Sequence, residues 1–350
     1  MMRSMLSAGF AGLLCATASV SAVCAQSVED FYKGKQISLA VGSGTGGGYD
    51  SYARLVARHI GRHIPGAPSV VVQNMPGAGS LNMTNFVYNV GPKDGTMLGA
   101  CQNNVAFEPL FHTLSPGGKT ARFDALKFNW IGSAARENFI PFVMADTGVT
   151  TFEELRTKPL RFGASAPSTD NAILALLLNR VFNTRIDIIH GYPGSTASLI
   201  VALEQKEIDG LAGMPMASLR VNASHLLEAN RIKFLVQVGL AKHPDLPDVP
   251  LLIDLAQNDQ DKDVLKAIIA RYEMARPVFA APEVPKERVA ALRMAFESAI
   301  ADPALLKEAA AQKLDISLVK GEEIEALVAA AYRLPPDLIE RVKGAINTAQ

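Results

Sequence analysis

Gln36-Ile37-Ser38-Leu39-Ala40-Val41-Gly42-Ser43-Gly44-Thr45-Gly46-Gly47-Gly48-Tyr49-Asp50 decides the fold. An apolar strand runs into a glycine-rich loop, and a helix is expected from about Asp50, with Tyr52, Leu55, Val56 and Ile60 on one face. Pro65 ends that helix, and further strands are expected at 69–73 and 97–101. Strand, loop and helix in alternation imply an α/β fold with an open, mostly parallel sheet.

The pattern then restarts. Strands are expected at 139–144, 160–164 and 186–189, with a late one at 232–238. Thr150-Thr151-Phe152-Glu153 has the form of a capping box that opens a helix. Ser165-Ala166-Pro167-Ser168-Thr169 leads into an apolar helix over 170–182, and Gly191-Tyr192-Pro193-Gly194-Ser195 follows the next strand. The tail from Pro285 is helical, with Val289, Leu292, Phe296 and Ile300 on one stripe. The segment 112–120, rich in Ser, Pro and Gly, is expected to be an exposed loop.

The chain has 350 residues, more than one typical core organises, so two lobes are expected. Its 34 basic side chains balance 34 acidic ones, which argues against a nucleic-acid partner. A hydrophobic share of 49% excludes a disordered chain. Residues 1–25 carry Arg3 and no acid, then an apolar run closing on Val23-Cys24-Ala25. This is the pattern of a signal peptide cleaved near Ala25, and it implies export. Cleavage would remove Cys15 and Cys24 and leave Cys101, a small buried strand residue unable to form an internal disulfide.

Gly42-x-Gly44-x-x-Gly47 matches the dinucleotide fingerprint in form. Gln73 and Asn74 stand where a ribose-binding acid belongs, and no Lys-Ser/Thr follows the glycines as a P-loop requires. The glycines could serve a tight turn alone, or could bring backbone N–H groups to an anion at a helix N-terminus; the second reading is preferred. The loops at 165–169 and 192–196 could each be a simple N-cap. Three such loops at the carboxyl ends of strands point together toward a ligand crevice. Ser195 lacks the Gly-x-Ser-x-Gly context of a nucleophile elbow. His59 and His63 have one-turn spacing but no further metal ligand nearby, and fit a solvated helix face. No catalytic residue, metal or cofactor is assigned.

Several stretches together resemble one family. They are Phe31-Tyr32-Lys33-Gly34-Lys35-Gln36-Ile37, the loop through Gly46-Gly47-Gly48-Tyr49-Asp50, and Val71-Val72-Gln73-Asn74-Met75-Pro76-Gly77-Ala78-Gly79-Ser80. Pro92-Lys93-Asp94-Gly95-Thr96, Tyr192-Pro193-Gly194-Ser195 and Leu246-Pro247-Asp248-Val249-Pro250 follow. The chain is similar here to the Bug (TctC) substrate-binding proteins of tripartite tricarboxylate transporters. That resemblance implies a type II periplasmic binding-protein fold with two crossing hinge strands, lobe 1 from 26–133 plus 273–350 and lobe 2 from 134–272. It implies a monomer that captures a small carboxylate and delivers it to membrane permease subunits.

Mapped by that resemblance, Ser43, Thr45, Gly46, Gly47 and Asp50 supply the first ligand loop. Gln102 and Asn103 supply the loop after the third strand, and Ser165, Ser168 and Thr169, with Tyr192, Gly194 and Ser195, supply the second lobe. Asp50 is expected to orient the loop or a water, since it would repel a carboxylate it touched directly. Arg136 and Arg276, near the crossings, are candidates for an ion pair with the ligand or for a hinge salt bridge. The chain departs from the family's usual pattern at Gly44, at Arg276 and at Ala212-Gly213-Met214-Pro215, expected as a loop. Two other functions remain open: an enzyme with a glycine-loop nucleotide or cofactor site, and a ligand sensor with a membrane signalling partner.

Overall fold

Eleven strands are present among the described residues of the computed structural model, which describes 26–112, 121–165, 167, 169–192 and 196–347. In chain order they are β1 (Gln36–Val41), β2 (Ser69–Asn74), β3 (Met97–Ala100), β4 (Asn129–Ser133), β5 (Phe139–Met144) and β6 (Leu160–Gly163). Then come β7 (Ile186–Ile189), β8 (Gly210–Pro215), β9 (Ile232–Phe234), β10 (Pro277–Ala280) and β11 (Val319–Lys320). They form two open sheets, ordered β11-β4-β10-β3-β1-β2 and β7-β6-β8-β5-β9. The expected signal peptide at 1–25 and most of the expected loop at 112–120 lie outside the described residues.

β1 sits between β2 and β3 and is parallel to both, and β6 is likewise parallel to β7 and β8. The remaining pairings are antiparallel, so both sheets are mixed. The cause is chain crossing. β5 enters the second sheet from β4 of the first, and β10 returns to the first and runs against β3 and β4.

The apolar sequence explains the layers. β3, β5, β8 and β10 are buried along their whole length, whereas edge strand β2 is exposed or half-buried throughout. Helix Gly48–Ile60 buries the expected face of Tyr52, Leu55, Val56 and Ile60. Helix Lys286–Ile300 likewise buries Val289, Leu292, Phe296 and Ile300. The last helix, Pro336–Ile346, packs on helices Asp170–Phe182 and Asp259–Ile269. There Arg180 Nη1 donates to Gly344 O at 2.7 Å.

Two segments connect the sheets. Residues 134–137 and 272–276 run antiparallel, with Glu137 N–H donating to Tyr272 O at 3.1 Å and Ala275 N–H to Ala135 O at 3.0 Å. No helix among the described residues is long and apolar enough to cross a membrane.

Local expectations differ from the structure in four places. The expected capping box has Glu154, not Glu153, as its acceptor, taking the Thr150 and Thr151 N–H groups at 2.7 and 3.0 Å, and it opens only a short 3-10 turn. Ala212–Pro215 is the end of β8, buried and paired with β5, and that tertiary pairing overrides the turn preference of Gly213 and Pro215. The late strand stops at Phe234, beyond which only isolated bridges at Gln237 and Val238 remain. His59 is buried, not solvated, because its Nε2 meets Glu308 Oε2 at 2.7 Å under helix Pro303–Ala311.

Candidate functional site

The glycine loop between β1 and helix Gly48–Ile60 is held from beneath by one carboxylate. Asp50 Oδ2 accepts the Gly46 N–H and Arg54 Nε, each at 2.9 Å, while Oδ1 accepts Asn74 Nδ2 at 2.8 Å. Asn74 Nδ2 also donates to Ser43 O at 2.9 Å, and Asn74 Oδ1 accepts Arg54 Nη2 at 2.8 Å. Burial works against the Asp50 charge, but the hydrogen bonds from Arg54, Gly46 and Asn74 outweigh it and hold the carboxyl below its usual range. Gly46 sits at φ +81°, where a side chain is strained, and a Cβ on Gly44 or Gly46 would meet nothing within 4 Å. The outer face of the loop is therefore open, and its amides lie at the positive end of the helix dipole.

Ser80 ties three strand-end loops together, a role no sequence signal assigned to it. Its Oγ donates to Gly42 O at 3.0 Å and accepts the Gln102 N–H at 3.2 Å. A Cβ on Gly42 would lie 2.3 Å from that Oγ, so this glycine is required for close approach. The next residue, Asn103, donates its N–H to the Tyr49 hydroxyl oxygen at 3.2 Å.

Tyr49 is the meeting point of both sheets and the crossings. Burial raises its phenol above the ordinary range; Arg276 opposes the shift, while Asp170 and Glu137 add to it. Those residues come from helix Gly48–Ile60, helix Asp170–Phe182 and both crossing segments. The Arg276 guanidinium stacks on Tyr49 at 4.5 Å and on Tyr52 at 5.0 Å. A small cavity of about 10 Å³ lies among Tyr49, Tyr52, Cys101 and Arg276. Polar atoms on the residues that meet here lack partners among the described residues: Asn103 Nδ2 and Arg276 Nε are buried without hydrogen bonds, as are Asn104 Oδ1 and Asn171 Oδ1 on adjoining residues of the chain. Buried polar atoms are rarely left so, which marks a place where something else completes the bonding.

From the second sheet, Thr169 caps helix Asp170–Phe182 with extended backbone, and Ser165 is half-buried beside it. Asp170 Oδ1 accepts Arg271 Nη2 at 2.8 Å and the Tyr272 hydroxyl at 3.2 Å, which fixes this helix start to the crossing. Tyr192 is half-buried against the second sheet's core, and its hydroxyl donates to Glu207 Oε2 at 3.2 Å. Ser168, Gly194 and Ser195 lie outside the described residues.

Of the two candidate arginines, Arg136 is half-exposed and forked between Glu273 at 2.9 Å and Glu323 at 2.8 Å. Arg276 is buried, and its Nη2 lies 2.8 Å from Glu137 Oε1. Both therefore make hinge-region salt bridges within the chain. Glu137, Asn74 and Ser80 are the residues that sequence reasoning passed over. Asn74 alone left a signal, as the amide standing where the fingerprint demands an acid.

No protein-family model matches the chain, and no curated protein matches it in sequence. Solved structures do match in shape. A TctC solute-binding protein from Polaromonas superimposes with TM-score 0.64 at 18% identity, over 89% of this chain and 99% of that one. The periplasmic binding protein BugD gives TM-score 0.67 at 17% identity, over 91% and 100%. A protein of R. palustris with adipate gives 0.65 at 19% identity, over 90% and 99%. At these identities the likeness is one of fold, and the fold of this chain is that of the TctC and Bug periplasmic binding proteins.

Proposed function

We propose that the protein is a periplasmic solute receptor that captures a small carboxylate, a di- or tricarboxylate or related acid, between two lobes. The lobes are 26–133 with 273–350, and 134–272, with the last helix of the first leaning on the second. One observation carries the reading: the start of helix Gly48–Ile60, Asp170 at the start of helix Asp170–Phe182 and Asn103, whose buried Nδ2 has no partner among the described residues, meet at Tyr49 beside the crossing segments. A neutral chain can hold an anion in this way, because oriented N–H groups replace a basic patch. The adipate in the R. palustris neighbour supports the ligand class.

In this reading Ser43, Thr45, Gly46 and Gly47 offer backbone and hydroxyl donors, and Gln102 and Asn103 close the first lobe's side. Ser165, Ser168, Thr169, Tyr192, Gly194 and Ser195 approach from the second. Asp50 acts through the loop it holds. Closure about the crossings draws its free energy from contacts made only in the closed state. The loaded receptor then delivers its acid to permease subunits of a tripartite tricarboxylate transporter and catalyses no reaction.

The test is a thermal-shift screen of the protein against mono-, di- and tricarboxylates, amides and nucleotides. A ligand at 100 times its dissociation constant adds about 2.7 kcal/mol of stability. Stabilisation by an acid is expected; a shift with NAD or ATP and with no acid overturns the reading.

A further inference from the structure

The first crossing segment carries a buried carboxylate that an anion receptor has no evident reason to keep. Glu137 lies on the first crossing segment with its side chain only 5% exposed. Arg276 Nη2 lies 2.8 Å from Glu137 Oε1 as an ion pair, while Oε2 has no hydrogen bond among the described residues. Arg276 is already committed elsewhere. Its faces stack on Tyr49 and Tyr52, and its Nη1 donates to Ala275 O at 2.9 Å. The pair is thus neutral in sum, and only Arg276 Nε, buried without an acceptor among the described residues, is left over from it.

The remaining groups can be sorted by what they lack. Among the described residues, Glu137 Oε2, Asn104 Oδ1 and Asn171 Oδ1 are buried acceptors without donors, and Asn103 Nδ2, Arg271 Nε and Arg276 Nε are buried donors without acceptors. The Tyr52 hydroxyl cannot help, because it donates to Asp315 O at 2.8 Å. Burial pushes the Glu137 carboxyl up; Arg276 opposes this, and Asp315 and Asp170 reinforce it, so the local field favours an incoming donor. A plain diacid ionised at both ends brings acceptors only, so it can meet those donors but leaves Glu137 Oε2 unpaired.

We infer that Glu137 is a specificity-determining residue, selecting acids that also carry a hydroxyl or ammonium donor over plain diacids of the same length. This rests on the cleft being a small-carboxylate receptor. The ligand's carboxylate takes the helix N-termini, and its donor takes Glu137 Oε2. A buried acceptor left unpaired rejects the analogue that lacks the donor more strongly than a lost apolar contact would.

The experiment is calorimetric titration with succinate, malate and aspartate, which share one skeleton and differ only in donor, and with glutarate and glutamate for length. The wild type is expected to bind the best donor-bearing acid at least tenfold tighter than its plain partner. Glu137→Gln, which keeps the shape and one acceptor but loses the charge, should weaken the ammonium-bearing acids about tenfold and leave the plain ones unchanged or tighter. If that variant fails to fold with Arg276 unpaired, the double variant Glu137→Leu with Arg276→Met replaces the pair by apolar groups and should likewise lose the preference. Plain diacids bound as tightly as donor-bearing ones, or a preference unchanged in the variants, overturns the inference and leaves the receptor standing. Binding of none of the five, while a tricarboxylate stabilises the protein, also overturns it. Binding of no acid at all overturns the receptor reading and the inference with it.

Discussion

Asn74 Nδ2 stands 2.8 Å from Asp50 Oδ1 and 2.9 Å from Ser43 O, so one amide binds the start of the helix to the start of the glycine loop. A dinucleotide site would need an acid near this position, and an acid would face Asp50 directly. Asn74→Asp should therefore destabilise the protein by about 1–3 kcal/mol through loss of the half-buried donor and like-charge contact. Urea unfolding at neutral pH measures this, and an unchanged midpoint would remove Asn74 from the loop's support.

The Asp50 carboxyl titrates below its ordinary value, which fixes the sign of a pH effect. A depressed carboxylate stabilises the fold above its unfolded pKa of about 3.9 and loses that contribution as pH falls through the folded value. Asp50→Asn should cost about 2 kcal/mol at pH 7, discounted because Arg54 is half-exposed. The deficit should shrink steadily below about pH 4. Unfolding curves across that range check it, and a gap constant with pH would show that the charge is irrelevant.

Two glycines five residues apart should behave oppositely. A Cβ on Gly42 would lie 2.4 Å from Ser80 Cβ, and Ser80 itself is held at φ +78°. Gly42→Ala should cost about 1–3 kcal/mol by overpacking. At Gly47, φ is −84° and a Cβ meets only Gly44 O, at 4.0 Å. Gly47→Leu should keep the wild-type melting temperature while abolishing acid binding, because its side chain fills the space in front of the loop amides. Retained affinity would take this loop out of the site.

Much of this was legible in the sequence because it is local. The apolar run 36–41, the helix stripe Tyr52-Leu55-Val56-Ile60 and the strand at 139–144 each carry their period in consecutive residues. What was hidden depends on partners far along the chain. Glu137 meets Arg276 and Ser80 meets Gly42 and Gln102 only after the sheets assemble, and no spacing rule encodes those meetings. His59 was misread for the same reason, since its burial comes from Glu308 and a helix almost 250 residues later. The Thr150 box failed more narrowly, by a one-residue shift between two adjacent glutamates.

Arg220 and Asp315 supply the last expectation, because they join the two sheets' halves without any ligand. Arg220, on helix Met216–Asn222 after β8, donates from Nη1 to Asp315 Oδ1 at 2.8 Å and Oδ2 at 3.0 Å, and its Nη2 also pairs with Asp245. Asp315 in turn offers its carbonyl to Tyr52 of helix Gly48–Ile60. Asp315 is 46% exposed, so the contact is worth about 0.2–1 kcal/mol. That is too little to hold the protein shut, but enough to shift a closing equilibrium up to about fivefold. Arg220→Ala should therefore weaken acid binding by no more than about fivefold and widen the unliganded protein in solution scattering. Salt at 0.5 M screens exposed pairs within a few ångströms, so it should weaken the wild type more than the variant. Equal salt dependence in the two, with equal affinity, would mean that this bridge plays no part in closure.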